Sequence, residues 1–302
     1  MKDLIIIGAG PAGITAAIYA ARKKLDFTVI TRDIGGQTIW AGEVGNYTGH
    51  QLMTGAELAA KFSEHLKQFS FDLREGEEAA KVEKKGDYFQ VITGKGETIE
   101  CRTVIVAAGK RPRLLGVPGE GKYNNKGITY CATCEGPLFA GKAVAVIGGG
   151  NSALDAALQM IRLASKVYLL NVGEKLSGDP VMIEKVSASP VAEIINNAKV
   201  ISFQGDNFLK SIKVEIQGIE KDLPVEGVFV EIGLVPNSKC IGFVDKNEKE
   251  EIVVNCKAET SCPGVFAAGD VTDGPEKQII IAAGNGATAL LSAFRYLSTH
   301  RY

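Results

Sequence analysis

LIIIGAGPAG, residues 4–13, joins a four-residue apolar run to three glycines, Gly8, Gly10 and Gly13, and a helical stretch from Ile14 to Ala21 follows. An apolar run this short, stopped by glycines, predicts a buried strand, so the order is strand, tight turn, helix. In the pattern G-x-G-x-x-G the glycines allow the turn, a close approach of a pyrophosphate and close packing of the helix, whose N-terminus faces phosphate charge. Pro11 and Ala12 fill the turn between them. Glycine is abundant, 35 of 302 residues, so about 0.5 matches to this spacing arise by chance in such a chain. What makes the stretch a dinucleotide site is its place directly behind a buried-type strand.

The same grammar returns. Residues 143–147 form a second apolar run, and GGGNSALDAA follows at residues 148–157, with Gly148, Gly150 and Ala153 restoring the pattern around Asn151 and Ser152. Two such units imply two dinucleotides. The expectation is an α/β chain of two Rossmann-like (three-layer ββα) domains, the nicotinamide domain inserted in the flavin domain. Gly116–Gly119, reading GVPG, and the Pro236-Asn237 pair punctuate the chain. The expected boundaries are 1–116 and 243–302 for the flavin domain and 117–242 for the inserted one.

A length of 302 residues suits two domains, and an apolar content of 45% with 23% charged residues describes an ordinary globule. A net charge of -1 provides no general field for nucleic acid or anionic lipid, so neither is expected as a partner. The apolar start is too short for a membrane span and lacks a basic leader, which makes the cytoplasm the expected location.

YCATCEGPLF, residues 130–139, places Cys131 and Cys134 two residues apart, with Glu135 next. With six cysteines in the chain, about 0.1 such pairs are expected by chance. A zinc site needs a second pair of thiols or histidines at ligand spacing. Cys101, Cys240, Cys256 and Cys262 are scattered and His50, His65 and His300 form no cluster, so no metal is expected. A structural disulfide is the other plain reading. A cycling dithiol agrees better with dinucleotide-binding flanks. Two bound dinucleotides give it a role: a nicotinamide hands a hydride to a flavin, and the flavin passes two electrons to a disulfide.

Around the first motif, Gly36 and Gln37 in GGQTIW, Asn46 in EVGNYTGH and Gly109 at the end of TVIVAAG are candidates to surround the flavin. Residues 265–268 form another apolar strand that leads to Gly269 and Asp270, and a helix is expected from about Glu276 to Leu297. Asp270 is a candidate for a ribityl hydroxyl, and Lys277, Gln278 and Ile279 at the helix start for the flavin ring. Gly284 and Gly286 within that helix suggest close packing on a cofactor or a neighbouring element. Residues 180–195 read as a helix interrupted at Pro190. The strand at residues 166–171 ends where an adenosine ribose is read. It offers Asn171, then Glu174 and Lys175, with no arginine from Ser165 to Gly178, which favours NADH over NADPH.

GAGPAG, GGQ, the glycine-flanked N-Y, CATC plus an acid, GGGNSA and GVFAAGDV, in that order, resemble low-molecular-weight thioredoxin reductases. CEGPLFAGK, GGGNSALDAA and KQIIIAAGNGATALLSAFRYL look closer still to the reductase core of the alkyl hydroperoxide reductase flavoprotein. The resemblance implies FAD and NADH (NADPH second), Cys134 nearest the flavin, Cys131 attacking the partner's disulfide, and Glu135 moving a proton. It further implies a homodimer, a thioredoxin- or glutaredoxin-like acceptor, and rotation of one domain against the other through hinges near residues 116–119 and 233–237. The hydroperoxide reductase flavoprotein carries an N-terminal relay, whereas this chain starts at its flavin strand, so a separate acceptor is expected. Asn171-Val172-Gly173 stands where NADPH-type members carry His-Arg-Arg, and Glu135 replaces the family's usual aspartate. The alternatives are an NADH oxidase, a peroxiredoxin-system flavoprotein reductase, a member fed by ferredoxin or deazaflavin, and a cofactor-binding redox sensor or scaffold.

Overall fold

The computed structural model describes residues 1–40, 43–50, 53–130 and 132–300; the side chains of Trp40, Glu43, Thr133 and Cys134 also lie outside the description. The chain divides into two compact units, Met1–Arg111 with Val235–Tyr302, and Pro112–Leu234.

In the first unit the strand Lys2–Ala9 lies parallel between Phe27–Ile34 and Thr98–Val106. Asp72–Glu75 extends the sheet on one side, and Val265–Ala267 pairs with Thr98–Val106 on the other. A strand buried on both faces must be apolar throughout, and the run at residues 4–7 is. Leu4 and Ile6 enter one core with the helices, whereas Ile5 and Ile7 enter another behind the sheet. From the first half of Thr98–Val106 the sheet continues antiparallel into Tyr88–Thr93 and Ala79–Lys85, whose Val82, Phe89 and Val91 join Ile5 and Ile7 in the second core and so supply the third layer. On the helical face, Pro11–Arg22 packs against Ile279–Thr299 through Ala12, Ala16, Ala282 and Ala289. Small side chains let the two backbones approach. A methyl group at Gly286 would stand 2.0 Å from the Ala12 carbonyl oxygen.

The second unit repeats the plan. Its parallel sheet runs Ile128–Thr129, Gly227–Val230, Ala143–Ile147, Lys166–Leu170, Ala192–Ile195. Val144, Val146 and Phe229 face the helices, and Ala145, Ile147 and Val228 face the meander Ala198–Gly205, Leu209–Ile216, Ile219–Pro224. Both units are therefore three-layer ββα folds.

Two local expectations change. Residues 180–195 are not one interrupted helix: Pro180–Ser187 is helical, and Ala192–Ile195 is an edge strand paired with Lys166–Leu170. Pro190 removes a helical donor, and the partner strand captures the apolar residues beyond it. The units change over at residues 111/112 and 234/235, ahead of the glycine punctuation. Ile241 belongs to the first unit's core, and the Cys240 carbonyl accepts the Val82 N–H at 2.7 Å. The Leu115 and Gly116 N–H groups donate to Glu120 in the second unit.

Candidate active site

The first glycine turn is built by exclusion. Gly8 has φ +102°, and a methyl group there would stand 2.4 Å from the Ala107 carbonyl oxygen; one at Gly13 would stand 1.8 Å from that of Gly8. Gly10, in contrast, has nothing within 4 Å, and it caps the helix Pro11–Arg22 without a side-chain hydrogen bond. The space beside Gly10 at this helix start is thus open, and a phosphate at a helix N-terminus requires such room.

The GGQ loop is laced onto that turn. Gly35 N–H donates to the Ala9 carbonyl at 2.7 Å, Gly36 N–H to Asp33 Oδ1 at 3.0 Å, and Ala9 N–H to Thr31 Oγ1 at 3.1 Å. Asp33 therefore holds the loop. Gln37 follows in the short helix Gly36–Trp40, where the buried Thr38 hydroxyl has no hydrogen-bond partner among the described residues. Across 232 residues of chain, Asn46 Nδ2 donates to Gln278 Oε1 at 3.1 Å, which unites two of the candidates. Gly109, at φ +61°, has open space beside it, and Ile279 opens the last helix. Gly269 leans on Ala12, and burial raises the half-buried Asp270 carboxyl against the lowering fields of Lys277 and Lys110. Lys277 is committed elsewhere: its Nζ reaches the Thr272 carbonyl and pairs with Glu251 at 3.3 Å. Glu251 also pairs with Lys110 at 2.7 Å. The open Gly10 cradle, the orphaned Thr38 hydroxyl and the half-buried Asp270 fit a flavin dinucleotide.

In the second unit a methyl group at Gly148 would stand 2.3 Å from the Glu231 carbonyl oxygen and 2.9 Å from the Ala153 methyl carbon. At Gly150 the nearest atom would be Ser177 Oγ at 3.9 Å, and this residue caps the helix Asn151–Ile161 with no side-chain bond. The second turn thus has the same open approach and fits a second dinucleotide. Ser177 N–H donates to the Gly149 carbonyl at 2.7 Å, and Asn151 Oδ1 accepts the Asp179 N–H at 2.6 Å, so the loop after the strand is pinned to the turn. Ser152 is exposed and Ala153 buried. Asn171 is buried and spends its amide on the Gly173 carbonyl and Asn196. It shapes the turn and is not turned outward to read a ribose.

Of the dithiol residues, Cys131 and the Cys134 side chain lie outside the described residues. The helix Ala132–Glu135 passes directly into Gly136–Phe139, where Phe139 meets Phe229 edge to face at 5.4 Å. Gly227 has no room for a side chain, since a methyl group would stand 2.4 Å from the Phe139 ring. Glu135 is half-buried at the junction. Because Ile128–Thr129, Gly227–Val230 and Ala143–Ile147 are adjacent parallel strands, Tyr130, Glu231 and Gly148 emerge at one sheet edge. This is where the connections reverse direction, the usual place for ligands in such sheets.

Glu231 is a residue that motif reading missed; its one sequence signal is an acid directly after an apolar strand. Burial pushes its carboxyl up to about 7, the Asp155 charge adds to this, and the Ala132 backbone N–H opposes it. Burial likewise pushes the Cys101 and Cys240 thiols up to about 12 and about 11, which leaves them inert as nucleophiles. Among the described residues there is no cluster of three metal-ligating side chains, and no helix is long and apolar enough to cross a membrane.

Two glycine turns behind parallel strands, each with room for a phosphate, define a protein with two dinucleotide-binding units, and the chain belongs to the pyridine nucleotide-disulphide oxidoreductase family, whose model matches residues 2–286. It is 41% identical to the NADH dehydrogenase of Bacillus subtilis and 40% identical to an alkyl hydroperoxide reductase protein from Escherichia coli, in each case over 98% of this chain and 58% of the relative. The chain thus spans about three-fifths of the length of these relatives. Among solved structures it resembles the thioredoxin reductases of Lactococcus lactis (TM-score 0.85, 30% identity, 99% of this chain and 100% of that one) and T. acidophilum (TM-score 0.82, 36% identity, 99% of each).

Proposed function

We propose that the chain is a disulfide reductase that takes electrons from NADH, with NADPH the poorer donor, and delivers them through FAD and the Cys131–Cys134 pair to a thioredoxin- or glutaredoxin-like protein. The observation that supports this reading is the sheet of the second unit, where Tyr130, which precedes Cys131 in the sequence, and the open glycine turn follow parallel strands two places apart. Flavin, when bound, supplies a relay between a two-electron hydride donor and a disulfide. The chain does the rest. Gly8–Gly13 and Gly36 leave room for the pyrophosphate, Asp270 takes a ribityl hydroxyl, and Gln37, Asn46 and Gln278 order the ring edge. Gly148–Ala153 receive the nicotinamide dinucleotide. Cys134 meets the flavin, Cys131 attacks the acceptor, and Glu135 moves the proton. NADH is preferred because the loop after Leu170 offers Asn171, then Glu174 and Lys175, with no arginine from Ser165 to Gly178. The reading includes a cytoplasmic homodimer.

Anaerobic mixing of the flavin-loaded protein with NADH, NADPH, reduced deazaflavin or ferredoxin in turn tests the donor; NADH is expected to bleach the flavin fastest. Cys134→Ser is expected to keep that bleaching and lose reduction of a protein disulfide. Undiminished disulfide reduction by this variant would sink the proposal. Full NADH consumption under oxygen without disulfide turnover would support the oxidase reading, which the relative named NADH dehydrogenase favours.

A further inference from the structure

In folds of this kind an adenosine ribose is read at the end of the second parallel strand, ordinarily by a carboxylate that accepts from its hydroxyl. The first unit departs from that rule. Its second strand, Phe27–Ile34, closes on Thr31, Arg32 and Asp33. Thr31 is buried, and its hydroxyl accepts the Ala9 N–H and donates to the Asp33 carbonyl. Asp33 accepts the Gly36 N–H at 3.0 Å, which commits this acid to the loop. That loop abuts the open cradle, since a methyl group at Gly36 would stand 3.2 Å from the Gly10 Cα. Arg32 takes the remaining place, with 71% of its side chain exposed.

The other acids at this strand end come from the connection that follows Asp72–Glu75. Glu77 N–H donates to the Thr31 carbonyl at 3.0 Å, and Gly94 N–H donates to the Glu78 carbonyl at 2.8 Å, so the connection is docked on the strand. Glu77 pairs with Lys95 at 2.6 Å, its side chain is only 9% exposed, and its second carboxylate oxygen is buried with no hydrogen-bond partner among the described residues. This acid is closed to a ligand. Glu78, in contrast, pairs with Arg32 through one terminal guanidinium nitrogen. A guanidinium carries several N–H donors and no acceptor, so Arg32 keeps donors for a ligand after it has met Glu78. It therefore offers a ribose the reverse of the usual hydrogen-bond polarity.

We infer that Arg32 determines specificity in the first dinucleotide site by donating to the ribose hydroxyl oxygens of the adenosine half, with Glu78 holding its guanidinium at the strand end. A hydroxyl both donates and accepts, so either polarity reads it. The two differ at a ribose that carries a phosphate, which an acid repels and a guanidinium binds. The role rests on the reading of this unit as the flavin dinucleotide site.

The test is titration of flavin-free protein with FAD in the presence of ADP-ribose or of ADP-ribose carrying a 2′-phosphate. Only bound FAD is measured, by its fluorescence, so competitor held at the second glycine turn does not register. The phosphorylated competitor is expected to exclude FAD about fivefold better than ADP-ribose, the strength of an exposed ion pair. Arg32→Ala should lose that preference, whereas Glu78→Gln, which removes the carboxylate sharing the guanidinium, should widen it. Both side chains lie at the surface, so the fold survives either change. Equal exclusion by the two competitors in the parent, a preference that survives Arg32→Ala, or one that Glu78→Gln fails to widen overturns the inference. A parent protein that binds no FAD at all defeats the function proposed above; one that binds FAD and shows equal exclusion loses only the role of Arg32.

Discussion

Glu251 stands between two lysines, at 2.7 Å from Lys110 and 3.3 Å from Lys277, with an exposed side-chain fraction of 8%. Burial alone would raise its carboxyl, but hydrogen bonds and charge from Lys110, Asn247 and Lys277 prevail and hold it at about 2, against an ordinary 4.5. A carboxyl depressed by folding stabilises the native state fully above its unfolded value, and that stabilisation is lost as pH falls toward the folded value. Between pH 4.5 and 2 the first unit should therefore lose roughly 3 kcal/mol from this group, and Glu251→Gln should remove that pH dependence while lowering stability at neutral pH. Denaturant midpoints measured across the window decide it; parallel curves for the two proteins would contradict the assignment. None of this was legible in the sequence. The Lys110 partner lies 141 residues away, and a glutamate in EEIVV looks like any surface acid. Asp33 was hidden for a different reason: a bond to an N–H three residues on, at Gly36, leaves no pattern of its own.

In the helix Ile279–Thr299 two glycines that look alike in sequence have opposite surroundings. Gly286 is buried against the Ala12 backbone, whereas Gly284 is exposed with nothing within 4 Å. Gly284→Ala should stabilise the protein by about 1 kcal/mol through helix propensity alone. Gly286→Ala should destabilise it by about 2 kcal/mol or more, because the methyl group has backbone in its way. Thermal melting of the two variants reads both signs, and equal shifts would refute the packing argument. Sequence spacing places a close approach in this helix correctly, but it cannot say which glycine makes it, since helical phase relative to the neighbouring helix is a tertiary quantity. The same limit explains residues 180–195. Local signals favoured a helix interrupted at Pro190, and pairing of Ala192–Ile195 with Lys166–Leu170 overrode them beyond that residue.

Each of the two units has its own pair of apolar cores, on either face of its own sheet. Ligands that bind only the folded form stabilise the unit that holds them, by about 2.7 kcal/mol at a hundred times Kd. Calorimetry of flavin-free protein should therefore show one transition rising with added FAD and a second rising with NADH. A single transition moved equally by both ligands would show that the units do not unfold separately. The sequence by itself determined the fold class, the two glycine turns behind apolar strands and the candidate dithiol, because strand burial, turn conformation and short-range spacing are all written within about twenty consecutive residues. Only the tertiary structure decided that Asn46 meets Gln278 and that Asn171 faces inward. Those meetings depend on which distant strands lie side by side and where each one ends, and no local window of sequence contains that information.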